Sequence, residues 1–475
     1  MKRYCKRFFY ITLLLFWQVG IIRVALAQVK QITLTDALEI AKQNYPSIKA
    51  KQAEVGTSGY AVKESKTAYI PDVLTQNQAL YGTANGVRGA FFPAEGTAIP
   101  ISGGITSGNG TKADMTAAWG SFSTFMVDWK VFSFGRVRAS IATSKAEYAR
   151  SNADYDNEVF QHQIQVVDAY LLLLVEQRLI TLQQNNLQRA EGFVTVVRAT
   201  TRSGLKPGAD SSFANAEHAK ARLSLLQAER NERAQRIRLA ELLGSSSEDI
   251  AVDTAGFLSS IPSSVTDTKL SLDNNPLLRY HKLNMEVANA KRKQISRSYL
   301  PSIGLMAVGW ARGTGINNDE VNGQYTYKQG IGQGLQFSAY DYMFNVHFKW
   351  TISDYPKYRY QASGQKMIAE KNKYLYDEQR LKLERALENA NMQTALSIAQ
   401  TKIAPIQLES ARSSFYQSQS RYKVGLATLP ELAQSLFLMN RSEIDVSISY
   451  NNVWRAVLMK AAAVGDISLF TDLIK

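Results

Sequence analysis

Two stretches of this 475-residue chain repeat one another in order and spacing. Asn44-Tyr45-Pro46 matches Asn274-Asn275-Pro276, and Ala68-Tyr69-Ile70-Pro71 matches Ser298-Tyr299-Leu300-Pro301, both at an offset of 230 residues. From Trp129–Arg138 against Trp350–Arg359 onward the offset is 221, and it holds through Gly204-Leu205 against Gly425-Leu426 and Leu243-Gly244 against Val464-Gly465. The first copy therefore carries nine extra residues between Pro71 and Trp129. A register kept over more than 100 residues marks one structural unit used twice, so any fold for this chain must repeat itself.

Each copy reads alike. A helical segment (34–67 and 276–298) stops at a Tyr-x-Pro boundary, because the residue before proline is pushed out of the α region. A β-hairpin follows, at 71–132 and 301–352. Helical hairpins then span 139–244 and 357–465, turning at Gly204 and Gly425. The first repeat is thus 28–244 and the second 271–465. A linker rich in Ser, Asp and Thr (245–270) joins them, and 466–475 form a C-terminal tail.

Residues 1–27 read as a secretory signal peptide: Lys2, Arg3, Lys6 and Arg7 precede an apolar run from Phe8 to Val19, and Ala25-Leu26-Ala27 offers a small-x-small cleavage site. The sole cysteine, Cys5, falls inside it, so the mature chain is expected to hold no disulfide, thiolate metal site or cysteine nucleophile. The formal charge of +14 shrinks in the same way: without the signal, 50 basic residues face 41 acidic ones, a mild excess with no clustered nucleic-acid footprint. No later stretch approaches 18 uninterrupted apolar residues, which excludes a transmembrane helix but leaves open a β-barrel.

The hairpins carry that possibility. From Phe337 to Ile352, Tyr340, Tyr342, Phe344, Val346, Phe348, Trp350 and Ile352 alternate with Asp341, Asn345, His347 and Lys349, the period of a strand with one apolar and one polar side. Trp119, Phe125, Val127 and Trp129 repeat the pattern more weakly. Trp119, Trp129, Trp310 and Trp350 all lie in the hairpins, as do 17 of the 29 glycines. Such an apolar side faces either the core of a secreted sandwich or lipid, where aromatics gather at the interfaces. Trp119, Trp129, Trp310, Tyr340, Tyr342 and Trp350 are the interface candidates.

Helix length favours lipid. Ala139–Glu191 is 53 residues without Gly or Pro, and Gln365–Ala404 adds 40 before Pro405, where a kink is expected. A rod or tube needs helices of this length; a globular enzyme seldom does. Two hairpins give four strands, too few to close a barrel, and open edges are not tolerated in lipid. A homotrimer supplies twelve strands and combines the twofold repeat with threefold symmetry. The expected fold is therefore α+β and predominantly long α-helix: an internally duplicated helix–hairpin–helical hairpin unit, trimerising into a twelve-stranded barrel continued by a helical barrel. The four histidines (His162, His218, His281 and His347) are scattered, and no phosphate loop follows a strand, so no catalytic, cofactor or metal residues are expected. His162 and His218 read as helix-surface residues.

At this point the chain resembles the TolC-type outer-membrane efflux family over essentially its whole mature length. The resemblance rests on Leu34-Thr35-Asp36-Ala37-Leu38 with Asn44-Tyr45-Pro46, on Tyr69-Ile70-Pro71, and on the strand exits from Trp129 and Trp350. The tips Ser203–Gly208 and Arg421–Thr428 complete it. It implies a trimeric duct in the outer membrane of a Gram-negative bacterium, with a periplasmic helical tunnel whose tips dock on an adaptor (membrane fusion protein) of an inner-membrane pump. Outer-membrane lipid is the remaining partner; nucleic acid is not expected. Gly204, Leu205, Lys206, Gly425, Leu426, Ala427 and Thr428 are then the adaptor-contact tips, with Leu205 and Leu426 as exposed apolar knobs.

Asp210 and Glu431 occupy equivalent repeat positions, and with Tyr422 they are candidates for the periplasmic pore entrance, where six carboxylates in a trimer would favour cations. A purely structural reading stands beside this one: Thr428-x-x-Glu431 has the form of a capping box, and Asp210 suits an N-cap. Some family members hold the mouth shut with a basic residue where this chain has Ala427. Tripartite efflux is the leading expectation; type I protein secretion, a passive porin and a secreted adhesin are the alternatives.

Overall fold

A computed structural model describes residues 31–83, 116–204, 207–245, 250–252, 257, 261–262, 271–321 and 324–474, with backbone alone for 317–321 and 324–325. The signal segment, the first glycine-rich connection, Leu205, Lys206 and most of the 245–270 linker lie outside the described residues. The fold is predominantly helical with some sheet.

In chain order, β1 (Gln31–Ile32) leads into α1 (Leu34–Asn44) and α2 (Pro46–Thr67). β2 (Asp72–Gly82) and β3 (Ala118–Phe132) precede α3 (Arg136–Arg202) and α4 (Gly208–Leu242). After β4 (Ala251–Val252) come α5 (Pro276–Ser298), β5 (Ser302–Thr314), β6 (Ile316–Val321), β7 (Gln324–Tyr327), α6 (Ile331–Leu335) and β8 (Ala339–Lys349). A 3-10 turn at Ile352–Asp354 leads into α7 (Tyr355–Lys423), α8 (Leu429–Val464) and α9 (Ser468–Thr471).

The expected helix over 34–67 is two helices. Thr33 caps α1, its hydroxyl accepting from the Asp36 amide at 3.2 Å, and Leu34, Ala37, Leu38 and Ala41 form the buried stripe. Tyr45, preceding Pro46, is extended (φ −68°, ψ 126°), so α1 stops and the proline opens α2. Pro405, where a kink is expected, lies inside α7, which continues through it for 69 residues in all. One missing amide costs about 3 kcal/mol, and the flanking turns outlast it. The connection between β5 and β8 contains the β6–β7 hairpin and α6. None of the described helices is long and apolar enough to cross a membrane.

Contacts divide the chain into two compact units. One comprises the described residues up to Val55, with Ser151–Lys282 and Tyr374–Lys475; the other comprises Gly56–Arg150 and Leu283–Lys373. The first has the main core. Along α3, Val166, Val167, Ala169, Tyr170, Leu171, Leu173 and Leu174 are all buried on one broad face, while Gln165, Asp168 and Leu172 on the other side keep some exposure. Leu34 and Ala37 of α1, Leu239 of α4, Trp454 and Ala461 of α8 and Phe470 of α9 enclose them. The Tyr170 hydroxyl donates to the Ile32 carbonyl at 3.1 Å, so the ring's polar end is satisfied.

The second unit carries an antiparallel sheet of order β2-β3-β5-β8. The ladders run Asp72–Gly82 against Ala118–Asp128, Gly120–Trp129 against Leu305–Thr314, and Ser302–Arg312 against Ala339–Lys349. A bulge breaks the β3–β5 register between Trp129 and Phe132. Among the described residues, β2 and β8 pair on one side only.

Candidate functional site

Three places hold the residues singled out by sequence, and each lies within one unit. On the sheet, the cross-strand register fixes which side chains share a face, because directly opposed residues point the same way. Tyr340, Tyr342, Phe344, Val346 and Phe348 stand opposite Ala311, Gly309, Ala307, Leu305 and Ile303, and these in turn align with Phe125, Val127 and Trp129 and then Val73, Thr75 and Tyr81. The result is an apolar face across β8, β5 and part of β3, which gives way to Ser123 and Asn77 in the row of Tyr340. On β8 it is open: Tyr340 is 74% exposed, Tyr342 79%, Phe344 78%, Val346 72% and Phe348 61%. Trp119 and Trp129 lie on this face, with Tyr81 tilted against Trp119 at 5.2 Å and the Trp129 indole donating to the Tyr69 carbonyl at 3.0 Å. Trp350, just past β8, packs 6.4 Å from Tyr299.

Trp310 is the exception. It opposes Asp341 and Thr124, on the other face, which also bears Arg312, Asn345, His347 and Lys349. Arg312 meets Asp341 there at 2.9 Å, and the His347 ring lies close against Gly304, where a Cβ would collide with it. On β8 one side is therefore greasy and the other polar, and the polar side continues across the sheet with Met126, Val308 and Trp310 among its charges.

The tips lie in the first unit. Gly425 ends α7 in the left-handed conformation (φ 84°), the Leu426 amide donating to Arg421 at 2.8 Å and the Gly425 amide to Tyr422 at 3.1 Å, the two bonds of a Schellman cap. Leu426 is then 70% exposed, whereas Ala427 turns inward and is buried with Val194, Val197, Ala214, Leu429 and Leu432. Thr428 and Glu431 close a reciprocal capping box at the start of α8, each bond 3.4 Å. Glu431 thus has a structural task. The first tip differs: Gly204 is also left-handed (φ 73°), but the N-cap of α4 is Pro207, which offers no side-chain acceptor. Asp210 is therefore not the N-cap; it sits in the first turn, where a carboxylate complements the helix dipole.

Tyr422 is buried beside Phe193 (ring centroids 6.2 Å apart). Burial first, and then the nearby Asp210 charge, push its phenol above the usual tyrosine range. The structure thus brings Asp210 and Tyr422 within electrostatic reach of each other. Leu205 and Lys206 of the first tip lie outside the described residues.

Several anchoring contacts had no local signal in the sequence. Arg189 of α3 forms a two-pronged ion pair with Glu443 of α8, closest approach 2.8 Å, and Arg455 meets Asp168 at 2.8 Å. Lys51 bonds Asp154 at 2.8 Å; that bond first, and then Glu54, raises its ammonium well above the usual lysine range. His162, expected on a helix surface, is buried: its Nε2–H donates to the Leu242 carbonyl at 2.8 Å and its ring stacks on Tyr45 at 3.8 Å. Residues near 45, 162 and 242 come together only through tertiary folding, so periodicity alone could not reveal it. His218 stays on the surface, 3.7 Å from Glu191.

This arrangement is the fold of solved outer-membrane channels. The outer-membrane channel OprN superposes with a TM-score of 0.70 at 17% identity, covering 91% of this chain and 89% of its own. Vibrio cholerae VceC gives 0.71 at 14% identity (91% and 96%), and the Campylobacter jejuni CmeC channel 0.73 at 12% identity (91% and 85%). None of the curated proteins matches the chain in sequence. The chain belongs to the outer membrane efflux protein family, whose match spans residues 37–245 and 268–444. The family is one of outer-membrane efflux channels, which makes transport the setting in which the greasy sheet face and the tips are to be read.

Proposed function

We propose that three copies of this chain form the outer-membrane duct of a tripartite export pump, its internally repeated hairpins contributing four strands per copy to a twelve-stranded barrel. The observation that carries this reading is the sheet: a face with exposed aromatics on β8, a more polar opposite face, and, among the described residues, two edges left open. In water such a face is a liability, and in lipid it is a requirement, provided that the edges are closed by neighbouring copies. Trp119, Trp129, Tyr340, Tyr342 and Trp350 would face lipid, and the charged side would line the channel. Trp310 falls with the lining.

The exposed Leu426 at the capped turn is the adaptor contact, an apolar knob of the kind a helical hairpin accepts. Asp210 lies at the periplasmic mouth with Tyr422. The long helices form the periplasmic tunnel. Membrane fractionation followed by crosslinking tests the assembly: outer-membrane trimers are expected, and a soluble monomer would sink the reading. Leu426→Asp is expected to abolish export while trimers persist; unchanged export would remove the tip from the adaptor interface.

A further inference from the structure

Within the sheet-bearing unit, a groove of about 1270 Å³ lies among the first turns of α3, the last turns of α5 and the first turns of α7. Its existence follows from side-chain size. Ala139, Ala142 and Ala146 recur at helical spacing on α3, just after Gly135, and Ala290 and Ala362 face the same space, so three helices leave unfilled volume along their shared surface.

The charges around it are one-sided. Arg138, Arg292, Lys293, Arg297, Arg359 and Lys366 line the groove, against one acidic lining side chain, Glu286. Lys366 approaches Glu370 at 3.9 Å, but among the described residues none of the other five has a salt bridge. That contrasts with their neighbour Lys291, which meets Glu147 at 2.7 Å. Unpaired guanidinium groups beside an open groove are a site for an anion, and arginine suits the two-pronged geometry of a phosphate.

The other end of the groove is aromatic. Phe134 lies just beyond β3, Tyr299 just before β5 and Tyr355 shortly after β8, so this wall sits where the strands end. The Tyr299 ring meets Tyr355 edge-on at 5.2 Å and Trp350 at 6.4 Å. Aromatic rings with cationic groups beside them are what a bilayer border selects.

We propose that this groove holds the phosphate headgroup of an anionic phospholipid from the periplasmic leaflet, with acyl carbon against the alanine and aromatic wall and the phosphate on Arg297 and Arg359. The inference rests on the reading of the sheet as membrane-spanning. Its place at the strand ends favours a lipid over a freely diffusing anion, because the ring-bearing wall continues toward the face read as lipid-exposed.

The test uses full-length trimers reconstituted in phosphatidylcholine vesicles with or without phosphatidylglycerol, re-extracted in mild detergent and assayed by native mass spectrometry for retained lipid. Phosphatidylglycerol is expected to be retained over phosphatidylcholine by about tenfold, and the preference should vanish in Arg297→Gln/Arg359→Gln while trimers still insert. Arg297→Lys/Arg359→Lys should keep part of it, since the charge survives and the fork does not. Equal retention of both lipids by the unaltered chain, or full retention by the glutamine variant, overturns the proposal. So does displacement of the lipid by millimolar inorganic phosphate, which would make this a free-phosphate site. Inserted trimers without lipid preference would overturn the groove alone, whereas a soluble monomer would overturn the membrane reading as well.

Discussion

The interior around Tyr170 and the outer face of β8 are built from the same kinds of residue and treated in opposite ways. Around Tyr170, aliphatic and aromatic side chains from five helices are wholly enclosed by one another. On β8, an equally apolar row stands open, with Phe344 78% exposed. The difference teaches that burial within one copy is not the measure of what a residue is for. The first region supplies its own solvent, and the second, on the reading proposed above, takes one that comes from outside.

This contrast can be broken by substitution. Tyr170→Ala should cost the most, about 3–5 kcal/mol of thermal stability, because it empties a packed site and removes a satisfied hydroxyl. The helical circular-dichroism melt reads this loss. Phe344→Arg should leave that melt in place while lowering insertion into vesicles, with a penalty of about 2–4 kcal/mol if the residue sits near the bilayer midplane. An unaltered insertion yield would return the β8 row to the status of an ordinary exposed strand. Thr428→Ala comes next, at about 1 kcal/mol, through loss of the capping box; the equivalent change at Pro207 has no side-chain bond to lose.

The smallest effect sharpens the comparison by asking how dry the helical unit is. Burial lowers the His162 pKa, only partly offset by its bond to the Leu242 carbonyl and by Glu158. The folded imidazole therefore stays neutral where the unfolded chain takes up a proton. Stability is full above about pH 6.5 and declines as pH falls below it, with a slope of no more than about one proton. Denaturant titrations from pH 7.5 to 5 should show the slope, and His162→Phe should flatten it.

What could be read from sequence follows the range of the interaction. The β8 face was legible because a strand's period is local, and the tip glycines because a left-handed cap declares itself in one residue. Trp310 was not: its face depends on the register of β5 against β3 and β8, which no alternation within β5 reveals. Asp210, a pore-entrance candidate for which the sequence also allows a capping role, is not the cap, because Pro207, three residues earlier, holds that position. The Arg189–Glu443 pair joins helices 254 residues apart in sequence, and His162 owes its burial to a turn and a helix end far along the chain.

The edges of β2 and β8 that stay open among the described residues also have a kinetic meaning. If each copy leaves two unpaired strands, a lone protomer has no stable resting place in lipid, and insertion must wait for its companions. Duct formation would then scale as a high power of protomer supply, so a modest fall in synthesis would remove far more than its share of finished channels. In transit, the greasy row on β8 would require shelter from other exported chains.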